Sequence, residues 1–123
     1  MIQPQTLVTI TDNSGAKTGR VFKVLGSSKK RYARIGDLVV LSVQIAEPRK
    51  QTKKKDVVHA IVVRQRTPFR RKDGSYVSFD DNAVVIVEKE KREPRATRVF
   101  GPIPREIAEA GYQRIVSLAP EVV

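Results

Sequence analysis

Short apolar runs separated by turn residues recur along the first two-thirds of the chain: Leu7 to Ile10, Arg20 to Leu25, Leu38 to Ala46, Asp56 to Arg66, Tyr76 to Phe79 and Ala83 to Val87. Most are rich in β-branched residues, which pack well on a pleated surface, so each predicts a strand. Strands this short and this frequent predict a mainly β fold, either a barrel or a sandwich. In Leu38 to Ala46 the residues Val39, Leu41, Val43 and Ile45 share one face, with Ser42 and Gln44 on the other. That alternation marks a strand with one buried side. The runs AIVV (60–63) and AVVIV (83–87) do not alternate and predict strands covered on both faces.

Asp12-Asn13-Ser14-Gly15 and Lys72-Asp73-Gly74-Ser75 are turn sequences, because Asn and Gly accept positive φ and Asp bonds to backbone just ahead of it. The second turn predicts a hairpin with arms at 58–66 and 75–79 and with Thr67 to Lys72 overhanging. At about 3.3 Å per residue the overhang reaches roughly 15 to 20 Å. The character of the chain changes near Glu93-Pro94, after EKEKRE. Beyond it Pro104 suits a helix start, REIAEA continues as a helix and Gly111 suits a left-handed stop, while IVSL at 115–118 predicts one more short strand. The expected organisation is one domain over 1–123, with a barrel at about 1–92 and an appendix at about 93–123.

The charge is concentrated. The net charge is +11, and residues 49–72 hold ten basic groups against one acidic group. Such a segment is the electrostatic footprint expected for a polyanion, the alternative being ordinary solvated surface. A membrane surface is less suited, because it favours a basic amphipathic helix and these charges flank strand-like runs. The basic groups form three clusters: Lys29, Lys30, Arg31 and Arg34; Arg49, Lys50, Lys53, Lys54 and Lys55; and Arg64, Arg66, Arg70, Arg71 and Lys72. Guanidinium groups bridge phosphates bidentately and lysines act as point charges, so all fourteen are candidate RNA-binding residues. Tyr32, Phe69 and Tyr76 lie among them, suited either to stacking on unpaired bases or to packing at the rim of a core.

Catalytic chemistry finds little support. There is one histidine, His59, in a strand-like setting, and there are no cysteines, so zinc and acid–base sites lack partners and disulfides are excluded. Asp80 and Asp81 are adjacent in an extended segment, where neighbours point to opposite faces, and read as turn or ion-pair groups rather than a nuclease's metal ligands. No nucleotide-phosphate, hydrolase or metalloprotease motif occurs. The reading is therefore a non-enzyme needing no cofactor or metal. The longest apolar run, Ala83 to Val87, is far below the roughly 18 residues of a membrane-spanning helix. The first ten residues predict neither a secretory signal nor an Arg-rich transit peptide.

AIVVRQRTPFRRKDGSYVSFDDNAVVI at 60–86 closely resembles the signature of the family of the fourteenth protein of the large ribosomal subunit, in its bacterial form. The likeness continues through MIQPQT, TDNSGAK, VLGSSKKRYARIGD, EPRATRVFGPIPRE and IVSLAPEVV, so it covers essentially the whole chain. The resemblance implies a five-stranded β-barrel with a short C-terminal helical appendix, to which the overhang read above adds a projecting basic hairpin. It implies a structural constituent of the large subunit that binds its ribosomal RNA and contributes to an intersubunit bridge. The implied partners are large-subunit proteins nineteen and three, small-subunit RNA across the bridge and, in many bacteria, a ribosome-silencing factor. Carried over by motif, Thr97, Arg98 and Arg114 belong to the partner-facing C-terminal surface. The implied location is the ribosome, in the cytoplasm or in an organelle. A free-standing RNA-binding barrel is the rival within binding proteins. Ala96 stands where the family commonly has Gly in PRGTR, and Lys55 where Gly commonly precedes DVV. Either is strained if its position requires positive φ.

Overall fold

The computed structural model describes residues 2–25, 31–48, 52, 54–88 and 93–123. Five strands make a closed barrel: β1 (Leu7–Ile10), β2 (Ala16–Val24), β3 (Leu38–Ala46), β4 (Val57–Arg64) and, after a small hairpin, β7 (Ala83–Glu88). Antiparallel pairing runs β1-β2-β3-β4-β7, and a parallel seam, Thr9 opposite Ala83 and Ile10 opposite Val84, joins β7 back to β1. Closure leaves the barrel no open edge.

The non-alternating runs find cover on both sides. Ala60 and Val62 of β4, with Val84 and Ile86 of β7, fill the lumen beside Val8, Ile10, Val21, Val39, Leu41 and Val43. Ile61, Val63, Val85 and Val87 point outward into a second core with Ile103, Ile107 and Ile115 of the C-terminal appendix. Continuous apolar sequence is needed there because a strand between two cores has no wet face.

Ile45 departs from its expected face: Val39, Leu41 and Val43 are fully buried, whereas Ile45 is 56% exposed. The pairing of β2 with β3 is irregular between Ala16 and Gly19, with Ile45 opposite Thr18 and Val43 opposite Gly19. An irregularity of this kind interrupts the alternation that would have turned Ile45 inward.

Two further expectations are corrected. Residues 75–79 do not return along β4, whose two sides are taken by β3 and β7. Instead β5 (Phe69–Arg70) pairs with β6 (Tyr76–Val77) as a separate two-stranded hairpin. The segment IVSL is helical, not extended. In the appendix β8 (Glu93–Pro94) and β9 (Pro102–Ile103) precede α1 (Glu106–Glu109) and α2 (Gln113–Leu118), and β10 (Glu121–Val122) pairs in parallel with β9. In α2, Ile115 is buried and Val116 and Leu118 pack around the second core, so burial of one helix face outweighs the β preference of a short apolar run. Gly111, at φ +99°, lies between the helices, where its amide bonds the Ala108 carbonyl at 3.1 Å.

Candidate nucleic-acid interface

The described residues of the first two basic clusters lie on connections anchored to the barrel. Arg34 starts a tight turn in which its amide donates to Asp37 Oδ2 at 2.7 Å. The Gly36 amide then donates to the Val62 carbonyl at 2.9 Å, and the Val62 amide to the Asp37 carbonyl at 3.0 Å, so the turn is fastened to β4. Arg31 and Arg34 are both exposed. Lys54 and Lys55 are exposed on the connection from β3 to β4, where the Lys55 amide donates to the Val43 carbonyl at 2.8 Å. Lys55 has φ +72°, the left-handed region, whereas Ala96 is not among the described residues with positive φ. Of these two departures from the family pattern only Lys55 carries the strain of a non-glycine residue at positive φ, a condition that Gln5, at φ +79°, shares. Lys29, Lys30, Arg49, Lys50 and Lys53 lie outside the described residues.

The third cluster divides. Arg66, Arg70 and Lys72 are exposed, with Arg66 Nε donating to the Asp80 carbonyl at 3.1 Å. Arg64 instead turns into the protein, where it is 8% exposed. Its Nη2 donates to Thr11 Oγ1 at 3.0 Å, its Nη1 to the Phe100 carbonyl at 3.3 Å, and its Nε lies 3.2 Å from Asp81 Oδ1. Asp81 thus has an ion-pair role, as one of its two sequence readings held. Arg71 is also largely covered: its Nε pairs with Glu106 Oε1 at 2.7 Å and its Nη2 donates to the Val123 carbonyl at 2.7 Å. These two arginines join the hairpin and the end of β4 to the appendix, which leaves their guanidinium groups committed within the fold rather than offered to RNA.

Thr97 and Arg98 occupy an exposed loop held by Asn13, which the sequence marks only as a turn residue. Asn13 Oδ1 accepts from both the Thr97 and Arg98 amides at 3.0 Å, and its Nδ2 donates to Thr97 Oγ1 at 3.0 Å. The turn motif containing Asn13 was visible in the sequence, but its long-range bonds were not. Arg114 is exposed on α2, which packs beside β8, the strand that leads into this loop.

Beneath the loop, Asp12 is buried and its Oδ2 accepts from the Ile86 amide at 3.1 Å, extending the β1–β7 seam through a side chain. Burial pushes the Asp12 carboxyl above its ordinary value, against hydrogen bonds from Ser14 and Ile86 that favour the charged form. Among the described residues no group of three His, Cys, Asp or Glu is placed to hold a metal ion.

With this arrangement in view, comparison with known families matches residues 1–123 to the model described as Ribosomal protein L14p/L23e. The chain belongs to this family. As an L14p/L23e member it is a structural constituent of the large ribosomal subunit, in a structural rather than catalytic family. Its place is the ribosome, which in bacteria lies in the cytoplasm. The covered arginines 64 and 71 and the exposed cations around them are then parts of one ribosomal protein: the former hold its shape and the latter face outward.

Proposed function

We propose that the chain binds large-subunit ribosomal RNA through Arg31, Arg34, Lys54, Lys55, Arg66, Arg70 and Lys72, together with Lys29, Lys30, Arg49, Lys50 and Lys53. The observation that carries this reading is the state of the seven described cations: all are exposed, and none forms an ion pair among the described residues. Neutralising phosphates releases counterions and supplies sequence-independent affinity, while RNA shape supplies selection. The barrel's part is to hold these connections in fixed relation.

The Thr97–Arg98 loop and Arg114 form the protein-facing side, suited to proteins nineteen and three and to a ribosome-silencing factor. The same protein contributes to a bridge with small-subunit RNA. Sedimentation of a tagged copy at low and high magnesium, with mass spectrometry of each peak, tests the reading. Near-unit stoichiometry in the large-subunit peak after the subunits separate is expected. A chain found mainly at the top of the gradient would point to a free-standing RNA-binding barrel.

A further inference from the structure

Between the turn that carries Arg34 and the start of the basic hairpin lies a hollow of about 460 Å³, lined by Arg34, Ile35, Gln65, Pro68, Phe69 and Arg70. That volume falls in the range of small-molecule sites, roughly 300 to 1,000 Å³. Its apolar wall includes Phe69, which is half-buried, and its two arginines are exposed. Glu106 also lines it, but its carboxylate is already held by Arg71 at 2.7 Å.

Gln65 is the unusual member. It is only 2% exposed; its Nε2 donates to the Thr67 carbonyl at 2.9 Å and its backbone carbonyl accepts from the Phe79 amide at 3.1 Å. Its Oε1 is buried and has no hydrogen-bond partner among the described residues. A buried acceptor left without a donor is costly, so a ligand that brings an N–H group to it gains more than one that does not.

We propose that this hollow seats a single unstacked nucleotide of the bound RNA. The base lies against Phe69, a turn of the Gln65 side chain brings the buried Oε1 to an N–H of its Watson–Crick edge, and its phosphates lie near Arg34 and Arg70. Unpaired bases stacked on aromatic side chains beside arginines are a general means by which proteins hold single-stranded RNA, and every base carries at least one N–H on that edge. An acidic peptide would use the arginines and could bring a backbone N–H to Gln65, but its carboxylates offer Phe69 no planar face to stack on. The inference rests on the RNA-binding reading above and adds a specific seat to it.

The test uses the full chain bound to purified large-subunit ribosomal RNA. Irradiation at short ultraviolet wavelength, digestion and mass spectrometry should find one nucleotide remnant on the peptide containing Phe69. Phe69→Leu, with a melting curve matching wild type, should weaken binding by about five- to hundredfold, the usual worth of one stacked base, without changing the salt slope. Arg34→Gln and Arg70→Gln alter exposed side chains and should each lower that slope by about one unit while reducing the crosslink. Wild-type affinity in Phe69→Leu, with crosslinks only elsewhere, would overturn the seat and leave the RNA-binding reading standing. A wild-type chain that does not bind the RNA at all would remove both.

Discussion

The guanidinium of Arg64 lies against Gly101 so closely that a Cβ on the glycine would collide with Nη1. Gly101 also has φ +79°, where side chains are disfavoured. Through this contact and its bonds to Thr11, Asp81 and the Phe100 carbonyl, Arg64 clamps the end of β1, the segment before β7 and the entry to the appendix.

Gly101→Ala therefore combines left-handed strain with displacement of the clamp, and should destabilise the fold by about 2 to 4 kcal/mol. Arg64→Met, which keeps the length and leaves Asp81 and the Phe100 carbonyl without their donor, should cost about 2 to 3 kcal/mol, less than a fully buried pair because Asp81 is partly solvated. Urea unfolding of the two variants measures both. A loss below half a kcal/mol in each would show that the clamp is incidental.

The pH dependence carries opposite contributions from two aspartates. Burial raises the Asp12 pKa above 3.8, so the folded chain takes up this proton before the unfolded chain does as pH falls. The cost of the charged group is fully present above its folded pKa and is gone below 3.8, so Asp12 makes the fold more stable as pH falls through that window. Asp73, exposed at the hairpin turn, is lowered first by the Ser75 hydroxyl and then by the Ser75 amide. Its contribution is present above 3.8 and fades as pH falls through its folded pKa. Carboxyl-carbon NMR titration should give an Asp12 midpoint above 3.8 and an Asp73 midpoint below it. Relative to Asp12→Asn, the wild-type chain should gain stability between neutral pH and pH 4, and a constant gap would contradict the assignment.

Lys55 sits at φ +72° without the steric freedom of glycine. Lys55→Gly removes that strain but also loosens the unfolded chain, leaving an expected net stabilisation of about 0.5 to 1 kcal/mol. The same change at Ala96, which is buried and lacks positive φ, relieves nothing and should destabilise. Thermal unfolding of the pair distinguishes them; a shift of the same sign in both would refute the argument.

What the sequence made legible followed from periodicity and composition. Apolar residues on consecutive positions at 60–63 and 83–87 implied cover on both faces, and the barrel lumen and appendix supply it. What it hid followed from contacts between distant residues. Arg64 and Arg66 look alike in a basic run, yet the register of β4 and β7 shifts between Val62 and Arg64, and only Arg64 meets Thr11 and Phe100. Composition registers the charge but not which way it turns. Asn13 read as a turn residue, while its hold on Thr97 and Arg98, more than eighty positions away, depends on the closure of the barrel.

That division within one basic run gives a prediction about RNA rather than stability. Salt dependence counts the phosphates a protein neutralises, at roughly 0.7 to 0.9 units of slope for each. Replacing exposed Arg66, Arg70 and Lys72 together with Gln should flatten the dependence of binding on salt by about 2 to 3 units, and the same treatment of Lys53, Lys54 and Lys55 should do likewise. Arg64→Met should leave the slope unchanged even though it weakens the fold, because its guanidinium is held by Thr11, Asp81 and Phe100. Filter binding to large-subunit RNA between about 50 and 200 mM salt resolves the difference. If Arg64→Met flattened the slope as much as loss of an exposed cation does, Arg64 would have to leave its internal partners and reach a phosphate when RNA binds, and the separation of clamp from contact surface would fail.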